Sequence, residues 1–173
     1  LEWNFFINYN KINYNGVELI TCLREPYERY KSNMNFYNKF NYKNYKSKNL
    51  QQRCKIKINY NKFNYYVKML NGLGNTPEAK IDESHFKIAR RNLRKLFKTI
   101  IILENKESFK LLEKFNIKYD GFNNIKRMNS NKKDIDINRN EFKKLNFFDY
   151  KLYNYAKRLS EYQLQEYKNS KYI

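Results

Sequence analysis

The segment Val17-Glu-Leu-Ile-Thr-Cys-Leu-Arg-Glu-Pro-Tyr-Glu-Arg-Tyr-Lys-Ser32 constrains the fold more than any other, because it must change from strand to helix within a few residues. Leu19, Ile20, Cys22 and Leu23 are mostly apolar, which predicts a strand covered on both faces. Pro26 cannot donate a ladder hydrogen bond and biases Glu25 away from helical geometry. Proline suits the first turn of a helix, so a helix is expected from Pro26 through Tyr30 to about Phe36. Arg24 then lies at the carboxyl end of a strand and Ser32 on the helix that follows. Ligands of open α/β sheets bind at that edge. Two readings fit the residues: a phosphate site built from a guanidinium fork and a hydroxyl, or a surface Arg–Glu pair beside a solvated serine.

Downstream, the spacing predicts more helices and one more strand. A helix is expected over Asn64 to Leu70, stopped by Gly72 and Gly74. Asp82 can cap the next helix, where Phe86, Ala89, Leu93, Leu96 and Phe97 recur at helical spacing. Its other face carries Lys87, Arg91, Arg94 and Lys95 and reads as a solvated face. Thr99 to Leu103 is rich in branched residues and suits a second buried strand. Asn105 is positioned to cap an amphipathic helix over Glu107 to Phe115. A helix from about Arg139 to Leu145 leads to Asn146, and a last helix runs from about Phe148 to Tyr167. Phe148, Leu152, Tyr155, Ala156 and Leu159 line one stripe of that last helix, which reads as core. Helix, strand and helix in succession predict an α/β fold: a short parallel sheet flanked by helices, with a helix-rich C-terminal half.

A chain of 173 residues suits one domain with a real core. The Tyr 17 and Phe 13 in it make that core lean on aromatic area, whose hydroxyls need partners. The net charge of +19 fits a polyanion: nucleic acid, an acidic membrane surface or an acidic polysaccharide. Residues 33–62 are nearly all Asn, Lys, Tyr and Phe, a low-complexity connection with a helical beginning, so part of the charge is compositional background. No apolar run reaches the ~20 residues of a membrane span, and no signal sequence stands at the start.

Several constellations fail as sites. Cys22 and Cys54 have no metal-ligand spacing and make no disulfide framework; Cys22 reads as a small core residue. Asp134-Ile-Asp136-Ile-Asn138 imitates the start of a calcium loop but lacks its glycine, and Leu145 stands where the loop needs Glu. His85, the sole histidine, shows neither the positioned partner nor the pocket of a general base and reads as a surface residue. No metal is implied.

Three separated segments together carry a family resemblance. Ile20-Thr-Cys-Leu-Arg-Glu-Pro-Tyr-Glu-Arg-Tyr-Lys-Ser32, Asn64-Tyr-Tyr-Val-Lys-Met-Leu70 and Phe148-Asp-Tyr-Lys-Leu-Tyr-Asn-Tyr-Ala-Lys-Arg-Leu159 resemble, in order, motifs of the Golgi carbohydrate sulfotransferases. The likeness is greatest to the heparan sulfate 6-O-sulfotransferases. It implies a partial P-loop-like sulfotransferase fold over residues 1–173, with 3′-phosphoadenosine 5′-phosphosulfate as sulfate donor. The acceptor implied is a sugar hydroxyl on an anionic glycosaminoglycan, so nucleic acid is not the expected partner. By the same resemblance Arg24 and Ser32 would hold the donor's 3′-phosphate, Asn129 and Ser130 would line the nucleotide, and the protein would work on the lumenal side of the Golgi membrane.

Departures bound what the resemblance carries. Glu25 replaces the motif's Asp. Tyr65, Tyr66 and Lys68 stand where the family tends to have Arg, Gln and Arg, which puts in question any contact made by that helix. Arg29 matches the motif's second Arg, yet Glu25 or Glu28 would serve it equally as partner. In the family the donor's 5′ loop and the histidine that deprotonates the acceptor precede the first of these strands. Residues 1–16 hold neither, so the catalytic residues are expected upstream of Leu1, along with any membrane anchor, and the chain alone is expected to be inactive.

Overall fold

The computed structural model describes residues 18–39, 63–73, 76, 78–117 and 138–171. In chain order these form β1 (Leu19–Leu23), α1 (Pro26–Lys39), α2 (Tyr65–Leu70), α3 (Glu83–Leu96) and β2 (Phe97–Ile102). A 3-10 helix (Lys106–Phe115), α4 (Arg139–Leu145) and α5 (Phe147–Ser170) follow. The expected class holds: β1 and β2 pair in parallel, with Thr21 opposite Ile100 and Leu23 opposite Ile102, and helices supply most of the remainder.

Each boundary has a local cause. Glu25 caps α1, its carboxylate Oε2 accepting from the Glu28 N–H at 2.8 Å just beyond Pro26. Asp82 caps α3 by accepting from the Ser84 and His85 N–H groups at 2.9 and 3.1 Å. His85 closes the box: its Nδ1 lies 3.4 Å from the Asp82 N–H and 2.7 Å from the Asp82 carboxylate. This corrects the reading of His85, which does have a positioned partner, although that partner serves a helix cap. Asn105 and Asn138 cap the 3-10 helix and α4 through their side-chain oxygens. Gly72, at φ 71°, takes the left-handed turn that ends α2.

The core lies between the sheet and α2, α3 and α5. Leu23, Ile100 and Ile102 meet Val67 and Leu70 of α2, Phe86, Ala89 and Leu93 of α3, and Leu152 and Ala156 of α5. Phe97 belongs to β2 and is half-buried, where helical spacing had placed it in α3; the backbone turns extended at Phe97 and the branched run follows. Leu103 falls just past β2, 45% exposed, though its N–H still reaches the Leu23 carbonyl at 2.9 Å. The Ser108 hydroxyl closes the strand's end, accepting from the Ile102 N–H at 3.0 Å and lying 2.6 Å from the Asn105 carbonyl.

β1 departs from the expectation of burial on both faces. Ile20 is 36% exposed and Cys22 is exposed too, while Leu23 is buried. Alternate residues of a strand point to opposite faces. Among the described residues the helices pack over β2, where Thr99 to Ile102 are all buried, and leave one face of β1 uncovered. Cys22 is therefore not a core residue. Partial burial, and then the Glu104 carboxylate, push its pKa up to about 11.

Candidate functional site at the carboxyl edge of the sheet

Arg24 and Glu25 leave β1 at the carboxyl edge of the sheet, beside Glu104 at the end of β2. Six long-range contacts fix this edge. The Tyr66 hydroxyl accepts from the Arg24 N–H at 3.0 Å and donates to the Arg24 carbonyl at 2.7 Å. Glu104 accepts from the Glu25 N–H at 3.0 Å and from the Tyr153 hydroxyl at 2.8 Å. The Tyr150 hydroxyl donates to Glu25 at 2.6 Å, and the Arg139 guanidinium lies 3.2 Å from the same carboxylate oxygen. Burial and then Glu25 raise the Tyr150 pKa; burial and then Glu104 raise that of Tyr153, so both hydroxyls stay protonated donors.

Below that edge, α2 and α5 cap each other. Asp149, fully buried near the start of α5, accepts from the Tyr66 and Val67 N–H groups at 3.1 and 3.0 Å and so caps α2. Asn64, at the start of α2, accepts from the Asp149 N–H at 3.2 Å and so caps α5. The Asn146 side chain accepts from the Asn64 N–H at 2.7 Å and donates to the Phe142 carbonyl at 2.9 Å. Asn64 holds φ 45° and ψ 49°, a left-handed conformation that asparagine tolerates better than most residues. Burial raises the Asp149 pKa to about 6 against the pull of the two N–H donors and of Arg29. Lys68 is also buried, and desolvation lowers its pKa while Asp149 opposes that shift.

Of the residues expected to bind nucleotide, Arg24 sits at the strand end as the sequence implied. Its guanidinium is 3.8 Å from Glu28, one helical turn on, and both side chains are more than a third exposed. Ser32 is half-buried on α1, a further four residues along the same stripe, about 6 Å beyond Glu28. Glu28 of α1 thus meets Arg24 at the strand end on one side and has Ser32 one turn further along the helix on the other. Asn129 and Ser130 lie outside the described residues, as do Cys54 and the calcium-like Asp134 and Asp136. The Arg29 guanidinium stacks 4.0 Å from the Tyr65 ring centroid and 5.4 Å from that of Tyr66.

The residues that hold this edge were mostly invisible in the sequence. Tyr66, Tyr150 and Tyr153 are three tyrosines in a tyrosine-rich chain, and no local pattern marks which hydroxyls reach a distant partner. Glu104 and Arg139 show no motif. Asp149, Tyr150 and Tyr153 were visible only as part of the third resembling segment, with no sign of the contacts they make.

Chemically, the edge gathers three carboxylates, two guanidiniums and three phenols. Among the described residues no group of three or more His, Cys, Asp or Glu side chains is arranged to hold a metal ion. Nor is any described helix long and apolar enough to cross a membrane. No protein-family model, curated protein or solved structure matches the chain.

Proposed function

We propose that this chain is the nucleotide-gripping part of a carbohydrate sulfotransferase. It takes 3′-phosphoadenosine 5′-phosphosulfate as donor and a sugar hydroxyl of an anionic glycosaminoglycan, of the heparan sulfate 6-O type, as acceptor. The proposal includes a lumenal Golgi setting.

One observation carries the reading. The three segments that resemble the family are distant in sequence yet meet in a single hydrogen-bonded unit: Arg24 is held by Tyr66, and the Tyr66 backbone is held by Asp149. The unit fixes the backbone of the arginine that the reading assigns to the 3′-phosphate. It also answers the departure at Tyr66, whose hydroxyl grips Arg24 at both backbone atoms. The donor set fits as well. Arg24 has an accessible guanidinium, and the Ser32 hydroxyl makes no hydrogen bond with a described residue. Bound there, the 3′-phosphate would take charge-assisted bonds from Arg24 and a neutral one from Ser32.

Titration calorimetry of the chain with 3′-phosphoadenosine 5′-phosphate tests this. Binding is expected, weaker for adenosine 5′-phosphate, and Arg24→Ala should lower affinity by about tenfold or more, since a hydrogen bond to a charged group contributes about 1.5–3 kcal/mol. Equal binding of the two nucleotides, or an Arg24→Ala variant that binds unchanged, would refute it.

A further inference from the structure

The Arg24 edge carries a second guanidinium that is held loosely. Arg139 opens α4 and reaches across to α1, 3.2 Å from Oε1 of Glu25. The partners are unequal: the Glu25 side chain is 15% exposed and that of Arg139 59%. Glu25 also keeps a donor on each oxygen without the arginine. Oε1 accepts from the Tyr150 hydroxyl at 2.6 Å, and Oε2 from the Glu28 N–H at 2.8 Å. An ion pair this open to water is weak and screened by salt, so Arg139 can leave Glu25 at little cost and without unseating the cap of α1.

Its backbone, by contrast, is fixed. Asn138 caps α4 by accepting from the Asn140 N–H at 2.8 Å. Within the next turn, buried Phe142 packs on Tyr27 and Tyr30 of α1, at 5.4 and 5.0 Å between ring centroids. α4 is therefore moored to α1, and the Arg139 guanidinium rests 5.6 Å from the Tyr27 ring centroid. A guanidinium fork that can swing, on a backbone that cannot, suits an arginine that changes partner when a ligand arrives.

Charge supplies the new partner. A phosphate monoester carries about −1.5 to −2 at pH 7. At this edge it would also meet the Glu28 carboxylate, which lies 3.8 Å from Arg24. One guanidinium and the neutral Ser32 hydroxyl leave part of that negative charge uncompensated. Arg139 is placed to share it, because the Glu28 charge already acts on it beside that of Glu25. Arg29 is otherwise engaged: it stacks on Tyr65 and Tyr66, and its charge acts on the buried Asp149. Lys31 is also close in sequence, but an ammonium offers no planar fork to a phosphate.

We propose that Arg139 is the second cation of the donor site, leaving Glu25 to close on the nucleotide's 3′-phosphate opposite Arg24. This rests on the nucleotide reading above, and Tyr150 keeps Glu25 in place through the exchange. The test is titration calorimetry of the 173-residue chain with 3′-phosphoadenosine 5′-phosphate and, separately, with adenosine 5′-phosphate. Arg139→Ala should lower affinity for the first by about tenfold and for the second by less than about twofold. Arg139→Lys should recover part of the loss, since it keeps the charge but not the fork. Lys31→Ala, which removes an equal charge nearby, should cost less than about threefold. The urea midpoint of Arg139→Ala should stay near that of the unchanged chain. Unchanged affinity in Arg139→Ala, where Arg24→Ala weakens binding, would overturn this proposal and leave the nucleotide reading standing. No change in either variant, or no binding by the unchanged chain, would overturn both. Equal losses in Arg139→Ala and Lys31→Ala would mark a general field, and a loss shared equally by the two nucleotides with a lowered midpoint would mark a structural role. Either result would overturn the proposal alone.

Discussion

Asp149→Ala tests the mutual capping of α2 and α5, which holds the Arg24 edge in place. The substitution removes both acceptors that Tyr66 and Val67 face at 3.1 and 3.0 Å. Both residues are buried, at 4% and 0% exposure, so water cannot replace the lost carboxylate without opening the core. Each orphaned buried N–H costs about 1–3 kcal/mol, so the pair costs roughly 2–6 kcal/mol. Removing a charge that was itself desolvated returns part of this, leaving a net loss of about 2–4 kcal/mol. That is a large fraction of the roughly 5–15 kcal/mol that holds an ordinary domain together. Asn64→Ala removes the reciprocal cap on α5 and forces alanine into a left-handed conformation, for about 1–3 kcal/mol. Because each residue caps the helix that carries the other, the two losses should not add. Urea unfolding followed by circular dichroism, on both single variants and the double, gives the coupling energy. A cost below about 1 kcal/mol for Asp149→Ala, or coupling below about 0.5 kcal/mol, would refute the mutual cap.

Tyr66→Phe keeps the ring and removes both bonds to the Arg24 backbone; it should cost about 1–2 kcal/mol in urea unfolding and weaken 3′-phosphoadenosine 5′-phosphate binding, and an unchanged midpoint would count against the clamp. Asp149 has a folded pKa near 6 against an ordinary 3.8, so its contribution to stability is fully present below the lower value and is lost as pH rises through the higher. The melting temperature should therefore rise on acidification from pH 7 toward 5, by less in Asp149→Asn, and identical pH profiles for the two proteins would contradict the shift. Cys22 is exposed with its pKa pushed up to about 11, so in a Cys54→Ser background its reaction with a disulfide reagent should be slow at pH 7 and accelerate steadily through pH 9; fast reaction at pH 7 would show a thiolate that the structure does not support.

Local signals were legible and long-range ones were not. Pro26, Asp82, Asn105 and Gly72 act within a turn of themselves, so their sequence positions sufficed to place the start of α1, the caps of α3 and the 3-10 helix, and the end of α2. The ends of α1 and α5 run past the expected limits because nothing nearby stops them. Periodicity placed Phe86, Ala89 and Leu93 in the core correctly. It failed for β1, since a continuous apolar run reads the same whether or not a second layer covers it. At the candidate site the arginine was legible because a strand end and a proline frame it. Its supports were not: Tyr66, Glu104, Asp149 and Arg139 reach the edge from 42 or more residues away, where spacing carries no information.

The pairing of Arg24 with Glu28 looks at first like the surface ion pair that competes with a phosphate role. Magnitudes decide between them. A pair at 3.8 Å with both partners over a third exposed contributes about 0–1 kcal/mol and is screened by salt. A guanidinium bonded to a phosphate contributes about 1.5–3 kcal/mol per charge-assisted bond, and a planar fork can make two. On the proposed reading, a bound 3′-phosphate would therefore take Arg24 from Glu28, and the charge of Glu28 would then face the anion. Glu28 meets Arg24 and lies one turn before Ser32 on α1, so among the described residues it is the carboxylate whose charge would oppose the anion most directly. Glu25 is held by Tyr150 and Arg139, and Glu104 by Tyr153 and the Glu25 N–H. Neutralising Glu28 alone, as Glu28→Gln, should then raise nucleotide affinity by a few-fold, while Glu25→Gln, which disturbs the cap of α1, should lower it. Calorimetry on the two variants separates the outcomes, and a Glu28→Gln that binds more weakly would mean that Arg24 is oriented by its ion pair and not by the Tyr66 clamp.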